Sequence, residues 1–323
     1  MTIFLIRRLM QSFVVLLIMS LVVFAGVYAI GNPVDVLISP EATELQREQT
    51  IQQLGLDRPM WEQYLIFLKN IAEGKLGTSF VHNRPAITLI LERFPATFEL
   101  AFSALVIAVF LGIPLGLWAG LRADSFSGRS IISGSIILFS MPTFWVGLLM
   151  IIAFAINLNW LPTSGRGEVG TFLGIRSSLF TIDGLRHLVL PATNLALYPL
   201  ALIIRLTASG TSETMSLDFM RSARAKGLHA PRIVFVHLLK NILIPIVTVI
   251  GLQFSVILAF AVVTESIFSW PGMGRLIIES INLLDRPVIV AYILVTILIF
   301  MLINLLVDVL YSFLDPRVRL EKM

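Results

Sequence analysis

The sequence predicts an all-α polytopic membrane protein with six transmembrane helices and an extra helical segment on the outer face after the first. Three observations carry this. Of 323 residues, 57% are hydrophobic and only 14% charged, with a mean hydropathy of +0.89; a soluble globular chain carries roughly 25% charged residues. The apolar residues fall in runs long enough to cross a bilayer. The first, residues 9–30, would be about 33 Å of helix at roughly 1.5 Å per residue. Finally, the cations cluster at the ends of these runs, which is how a membrane protein is oriented rather than how a nucleic-acid groove is lined. The net charge of +4 and pI near 9.6 therefore imply no nucleic-acid partner. The chain has no cysteine, which excludes disulfides and thiolate metal sites.

Helix one, residues 9–30, follows Arg7-Arg8; its apolar run is too long for a signal-peptide core, so it is expected to be retained. Gly31-Asn32-Pro33 ends it. The stretch to Pro95 carries too much charge to cross a bilayer, and residues 42–54, rich in Glu and Gln, read as a water-exposed helix. Pro59 suits the first turn of a further helix with Trp61, Tyr64, Leu65 and Leu68 as its apolar stripe. Helix two, residues 97–117, contains Pro114, and the spaced glycines Gly112, Gly116 and, just past that range, Gly120 let another helix approach closely. Helix three, residues 131–156, has Pro142 in its middle. A loop, residues 157–186, leads to helix four, residues 187–206, with Pro191 and Pro199 inside it. Residues 207–241 are polar, and helix five spans 242–263. In residues 265–287, Pro271-Gly272 suits a type II turn with Gly at positive φ. Helix six is residues 288–311, followed by a short basic tail.

Six spans put both termini on one side. That side holds Arg7, Arg8, Arg122, Arg129, Arg205, Arg221, Arg224, Lys226, Arg232, Lys240, Arg317, Arg319 and Lys322 against Asp124, Glu213, Asp218, Asp315 and Glu321. Thirteen cations against five acids make it the cytoplasmic side. The organisation is then residues 1–30, cytoplasmic N-terminus and helix one; 31–95, outer helical segment; 96–312, helices two to six with a cytoplasmic loop at 207–241; and 313–323, cytoplasmic tail.

That loop holds a basic helix-forming island. Asp218 in its first turn and Lys226 in its last suit the helix dipole, Gly227 suits a left-handed C-terminal cap, and Pro231 suits the start of a second helix. Such an island either touches lipid headgroups alone or docks a soluble partner. Arg221-Ser222-Ala223-Arg224-Ala225-Lys226-Gly227-Leu228 resembles the cytoplasmic loop of permease subunits in the peptide/nickel branch of bacterial ABC importers. Ala223 and Gly227 match the last Ala and the Gly of the family's "EAA…G" pattern; Arg221 stands where the general pattern has Glu, and Pro245 lies further on than the family's later Pro. Further landmarks resembling the family are Arg93-Phe94-Pro95-Ala96-Thr97, Gly77-Thr78-Ser79, Ser140-Met141-Pro142, Trp160-Leu161-Pro162, Trp270-Pro271-Gly272-Met273-Gly274-Arg275 and Asn304 to Asp308.

The resemblance implies a type I ABC importer permease fold in the bacterial inner membrane, carrying half of a translocation path for di- or oligopeptides. It implies a second permease, two ATPase subunits and a periplasmic or lipid-anchored binding protein as partners, besides membrane lipid. ATP and Mg would be bound by the partner subunits, with no cofactor or metal on this chain. Phe219, Arg221, Ser222, Ala223, Arg224, Ala225, Lys226, Gly227 and Leu228 would form the ATPase-coupling segment, and Pro142, Glu265, Trp270 and Asp308 are candidates for the path or its gate.

The chain is expected to be non-catalytic. Gly74-Lys75-Leu76 is no phosphate-binding loop, because Leu follows the Lys and no Gly precedes it at the required spacing, and the four histidines form no HExxH. The alternatives are a nickel or glutathione permease of the same branch and a proton-coupled secondary transporter. The latter needs paired intramembrane acids, of which Asp308 alone stands out.

Overall fold

The computed structural model describes residues 2–29, 43–53 and 57–314. The expectations for Gly31-Asn32-Pro33 and for the basic tail lie outside these residues. The described chain is mostly helical. It forms two compact units, Met1–Phe94 with Leu276–Met301, and Pro95–Arg275 with Leu302–Met323.

In the first unit, α1 (Thr2–Ala29) is followed by α2 (Glu44–Gln53) and α3 (Met60–Ala72). Pro59 is the residue capping α3 rather than one within its first turn, and its carbonyl accepts from the N–H groups of Glu62 and Gln63. The apolar stripe of α3 is shifted from the expected one. Trp61 and Leu65 are exposed. Tyr64 and Phe67 instead meet Phe24 of α1, with ring centroids 5.4 and 5.5 Å apart, and the Ser20 and Tyr64 hydroxyls lie 2.8 Å apart. Val23, Val290 and Leu294 form the buried cluster behind Phe67, Ile71 and Leu76. The Gly77-Thr78-Ser79 landmark is a turn pinned to Asp285: Ser79 Oγ donates to Asp285 Oδ2 at 2.5 Å and the Phe80 N–H to Oδ1 at 3.1 Å.

Two helices outrun their apolar windows. Helix two is α4, Ala86–Leu121, and continues through both Pro95 and Pro114. Helix four is α7, Ile182–Ser216, capped by Thr181, whose hydroxyl accepts from the Gly184 N–H at 3.0 Å. Hydropathy marks where the oil ends, whereas the backbone ladder continues until a cap or breaker stops it.

Helix three is not one continuous helix. It is α5 (Phe126–Ser140) and α6 (Thr143–Met150), the latter prolonged by a π-helical stretch Ile151–Asn157, bent by 104° at Met141-Pro142. The cause is local. Pro142 forces the residue before it out of the helical region, and Met141 is extended at φ −83, ψ 135. A two-stranded hairpin, β1 (Gly170–Phe172) and β2 (Ile175–Ser177), occupies the loop before α7.

α7 is the core of the second unit. Of its apolar window 67% is buried, against 33% for α4. The expected glycine stripe is the reason α4 can lie against it. A Cβ at Gly112 would fall 2.8 Å from Ile203, at Gly116 2.5 Å from Thr207, and at Gly120 2.5 Å from Thr211. Both rows step by four residues, so a bare row on one helix receives a ridge on the other.

After α7 come α8 (Asp218–Ala225), α9 (Ala230–Ile267), α10 (Met273–Asn282) and α11 (Arg286–Leu314). Among the described residues four helices, α4, α7, α9 and α11, are long and apolar enough to cross a membrane; the bent α5–α6 pair makes up to five, and α1 has an apolar stretch at Met10–Gly26.

Candidate functional site

The polar island folds as helix, tight turn, helix. Leu217 alone, extended at φ −72, ψ 149, separates α7 from α8. The end of α8 is a Schellman cap. Gly227 takes φ +71, its N–H donates to Arg224 O at 2.9 Å, and the Leu228 N–H donates back to Ala223 O at 3.4 Å. Leu228 packs against the cluster of Met220, Ile233, Leu238, Ile242 and Ile246, which fastens the turn to the start of α9.

This packing sorts the predicted coupling residues onto two faces. Met220 is fully buried and Ala223 is 7% exposed, so Ala223 faces its own chain and holds α8 in place. Phe219, Arg221, Ser222, Arg224, Ala225, Lys226 and Gly227 are exposed. The Arg221–Asp218 contact, 3.4 Å between side chains 72% and 96% exposed, is too solvated to fix either residue. The face presented to solvent is thus cationic at Arg221, Arg224 and Lys226 and small at Ser222 and Ala225.

The four path candidates are not brought together. Pro142 caps α6 at the 104° bend and lines an apolar pocket of about 530 Å3 with Ile137, Phe144 and Trp145. Asp308 is half-buried on α11, which runs on to Leu314, so it is further from the helix end than its apolar run suggests.

Glu265 and Trp270 do meet, both fully buried. Thr97 Oγ1 donates to Glu265 Oε1 at 2.6 Å while accepting from the Met273 N–H at 2.8 Å, and the Arg275 N–H donates to Glu265 Oε2 at 3.0 Å. One hydroxyl and one carboxylate therefore satisfy the first N–H groups of α10, where negative charge is favoured. Trp270 Nε1 donates to Ala96 O at 2.9 Å. The expected type II turn is absent at Pro271-Gly272. The Gly272 N–H bonds back to Trp270 O at 2.8 Å, a three-residue turn suited to the fixed φ of Pro271, and positive φ falls on Ser269 instead. Gly272 is needed for its size: a Cβ there would strike the Glu265 carboxylate.

Sequence reading missed a second buried carboxylate. Glu99, 5% exposed, lies two residues beyond Thr97 on α4. It accepts from Arg166 Nη2 at 2.5 Å, from Ser177 Oγ at 3.1 Å, and from the N–H and hydroxyl of Ser178. Arg166 also lies over Trp270, 5.9 Å from the ring centroid. The two carboxylates thus fasten the β-hairpin loop and the start of α10 to the same end of α4. Asp308 is therefore not the lone acid in an apolar helix. An acid within the apolar run of helix two was the signal for Glu99.

Residues 112–320 match the family described as binding-protein-dependent transport system inner membrane component, and residues 1–101 match the N-terminal part of such membrane components. The di/tripeptide transport system permease of Pseudomonas aeruginosa is 39% identical over 318 residues, 94% of each chain. The glutathione transport system permease of Escherichia coli is 37% identical over 317 residues, 98% of each. Among solved structures, an inward-facing form of the MetNI methionine ABC transporter superposes with a TM-score of 0.54 at 14% identity, covering 72% of this chain and 98% of that one, a likeness of fold.

Proposed function

The chain belongs to the inner-membrane components of binding-protein-dependent transport systems, and from that premise we propose that it is a permease subunit of an ATP-driven importer of di- and oligopeptides. It is a multi-pass membrane protein; in this reading α1, α4, the bent α5–α6 pair, α7, α9 and α11 are its six spans, with both termini cytoplasmic. It forms half of the translocation path beside a second permease, receives substrate from a binding protein outside, and is driven by two ATPase subunits that carry the ATP and Mg. The relatives' names support peptides. Glutathione, itself a short peptide, remains a substrate of the same class.

The observation that carries the reading is α8. It is a short helix with a cationic and small-residue outer face, held between α7 and α9 by Met220, Ala223 and the Gly227 cap. A push on α8 is delivered to two membrane helices at once. Phe219, Arg221, Ser222, Arg224, Ala225 and Lys226 are the residues that meet the ATPase, while Ala223 and Leu228 transmit the load. Pro142, at the broken span, is the residue nearest a path wall in this reading, since broken helices are tolerated at membrane depth where they line a cavity. Glu265 and Trp270 act as a brace behind the outer gate.

The test is uptake of labelled dipeptide by proteoliposomes holding both permeases and the ATPases, with binding protein outside. Uptake should need ATP and survive a proton uncoupler. Uptake that persists without ATPases and collapses with the uncoupler would overturn the proposal in favour of proton coupling, for which Glu99 and Glu265 would be the acids to examine.

A further inference from the structure

We propose that a pocket at the α8 end of the bundle binds the phosphate of an anionic phospholipid headgroup. The pocket lies among the end of α4, the start of α5 and the last turns of α7, measures about 570 Å3, and is lined by Arg129, Arg205, Ser133, Ser209 and Ser212 beside Gly120. Two arginines and three serines line one space, and no acid lines it among the described residues; Ser212 Oγ already donates to Gly120 O at 3.3 Å, which leaves the Ser133 and Ser209 hydroxyls as donors beside the two guanidinium groups. That donor set matches an oxyanion, which guanidinium forks bind through paired charge-assisted hydrogen bonds.

Arg205 is held in place, its guanidinium carbon 4.8 Å from the centroid of the Phe139 ring, which itself stacks on Tyr198. Neither arginine forms a salt bridge among the described residues. Among the described residues no carboxylate neutralises either guanidinium; Arg205 meets only the face of Phe139.

The depth of the pocket names the source of the phosphate. Next to Ala119 of its lining, Trp118 donates through Nε1 to Ser127 Oγ at 3.2 Å and carries Arg122 at 4.2 Å over its ring. Tryptophan paired with a cation marks the headgroup level of a span. A basic pocket between helices at that level on the cytoplasmic side is built to take a lipid headgroup. The cytoplasmic assignment rests on the proposed function; the pocket itself does not.

Its place gives the ligand a consequence. Ser209 and Ser212 are in the last two turns of α7, which ends at Ser216, directly before α8. A headgroup bridging Arg129 and Arg205 ties α5 to α7 next to the joint through which the ATPases would act, so lipid charge would tune coupling.

Full-length protein extracted in a neutral detergent would be titrated with phosphatidylglycerol, with phosphatidylcholine and with inorganic phosphate, and bound lipid read by mass spectrometry of the intact complex. Phosphatidylglycerol should bind preferentially. Arg129→Gln should weaken it about fivefold and Arg129→Gln with Arg205→Gln about 25-fold. Ser133→Asp, at an exposed position that needs no repacking, should abolish the preference. Equal binding by wild type and Ser133→Asp overturns the site. Binding of inorganic phosphate that displaces the lipid at equal concentration overturns the lipid as ligand. None of these readouts involves ATP or transport, so the site fails or stands separately from the importer reading.

Discussion

Gly227 is where backbone conformation and the proposed coupling can be separated from side-chain contact. Its φ is +71, and a Cβ built on it meets nothing within 4 Å. A substitution therefore perturbs this chain through the left-handed backbone rather than through a clash. An L-residue pays about 1–2 kcal/mol to stay there, a β-branched one more, whereas Asn tolerates it best among residues with a side chain. A shift of that size changes the ratio of closed to open cap about 5- to 30-fold. Opening the cap releases the bonds from Gly227 and Leu228 to Arg224 and Ala223, and with them the seating of Leu228 on the Met220 cluster. Gly227→Asn, Gly227→Ala and Gly227→Val would be assembled with the partner subunits and compared as peptide transported per ATP hydrolysed. Asn should stay near wild type, Ala should be partly uncoupled, and Val should hydrolyse ATP with little transport or fail to retain the ATPases. Normal transport by Val would refute the docking role. A loss that follows side-chain size, with Asn worse than Ala, would refute the backbone argument and place Gly227 itself against the ATPase.

The remaining predictions concern how the second unit is held. Gly116→Val should destabilise the protein by about 1–3 kcal/mol, because its Cβ would press on the Thr207 side chain and, at 2.7 Å, on the Ile204 carbonyl, while Gly134→Ala, with nothing within 4 Å, should be neutral or stabilising by up to about 1 kcal/mol; thermal unfolding of the purified variants separates them, and equal midpoints would refute the close approach of α4 to α7. Glu99→Ala should cost about 3–5 kcal/mol by leaving the half-buried Arg166 without its partner and the Ser177 and Ser178 donors unpaired, and adding Arg166→Ala should recover part of that loss. A double-mutant cycle measures the coupling, and strict additivity would show that the pair holds nothing.

Local signals were legible where the consequence is also local. The glycines at 112, 116 and 120 announce a bare helix row whatever lies against it, and Gly227 after a basic turn announces a cap. The break in helix three was half legible. Pro142 was visible, but a proline inside an apolar run reads as a kink, and only the extended Met141 before it turns the kink into a 104° bend. The two carboxylates were not legible as a site because their partners are distant in sequence. Glu99 meets Arg166 across 67 positions, and Glu265 meets Thr97 across 168. An acid beside an apolar run looks like a loop residue or a path residue until that partner is known. Both carboxylates instead satisfy backbone and side-chain donors that would otherwise be buried unpaired, at a penalty of about 1–3 kcal/mol each or more for charged groups. The same logic separates the two glycines that the sequence treats alike. Gly227 is required because its backbone is left-handed, and Gly272 because a carboxylate occupies the space where a side chain would be. A substitution tolerant of positive φ, such as Asn, should therefore be accepted at the first position and rejected at the second.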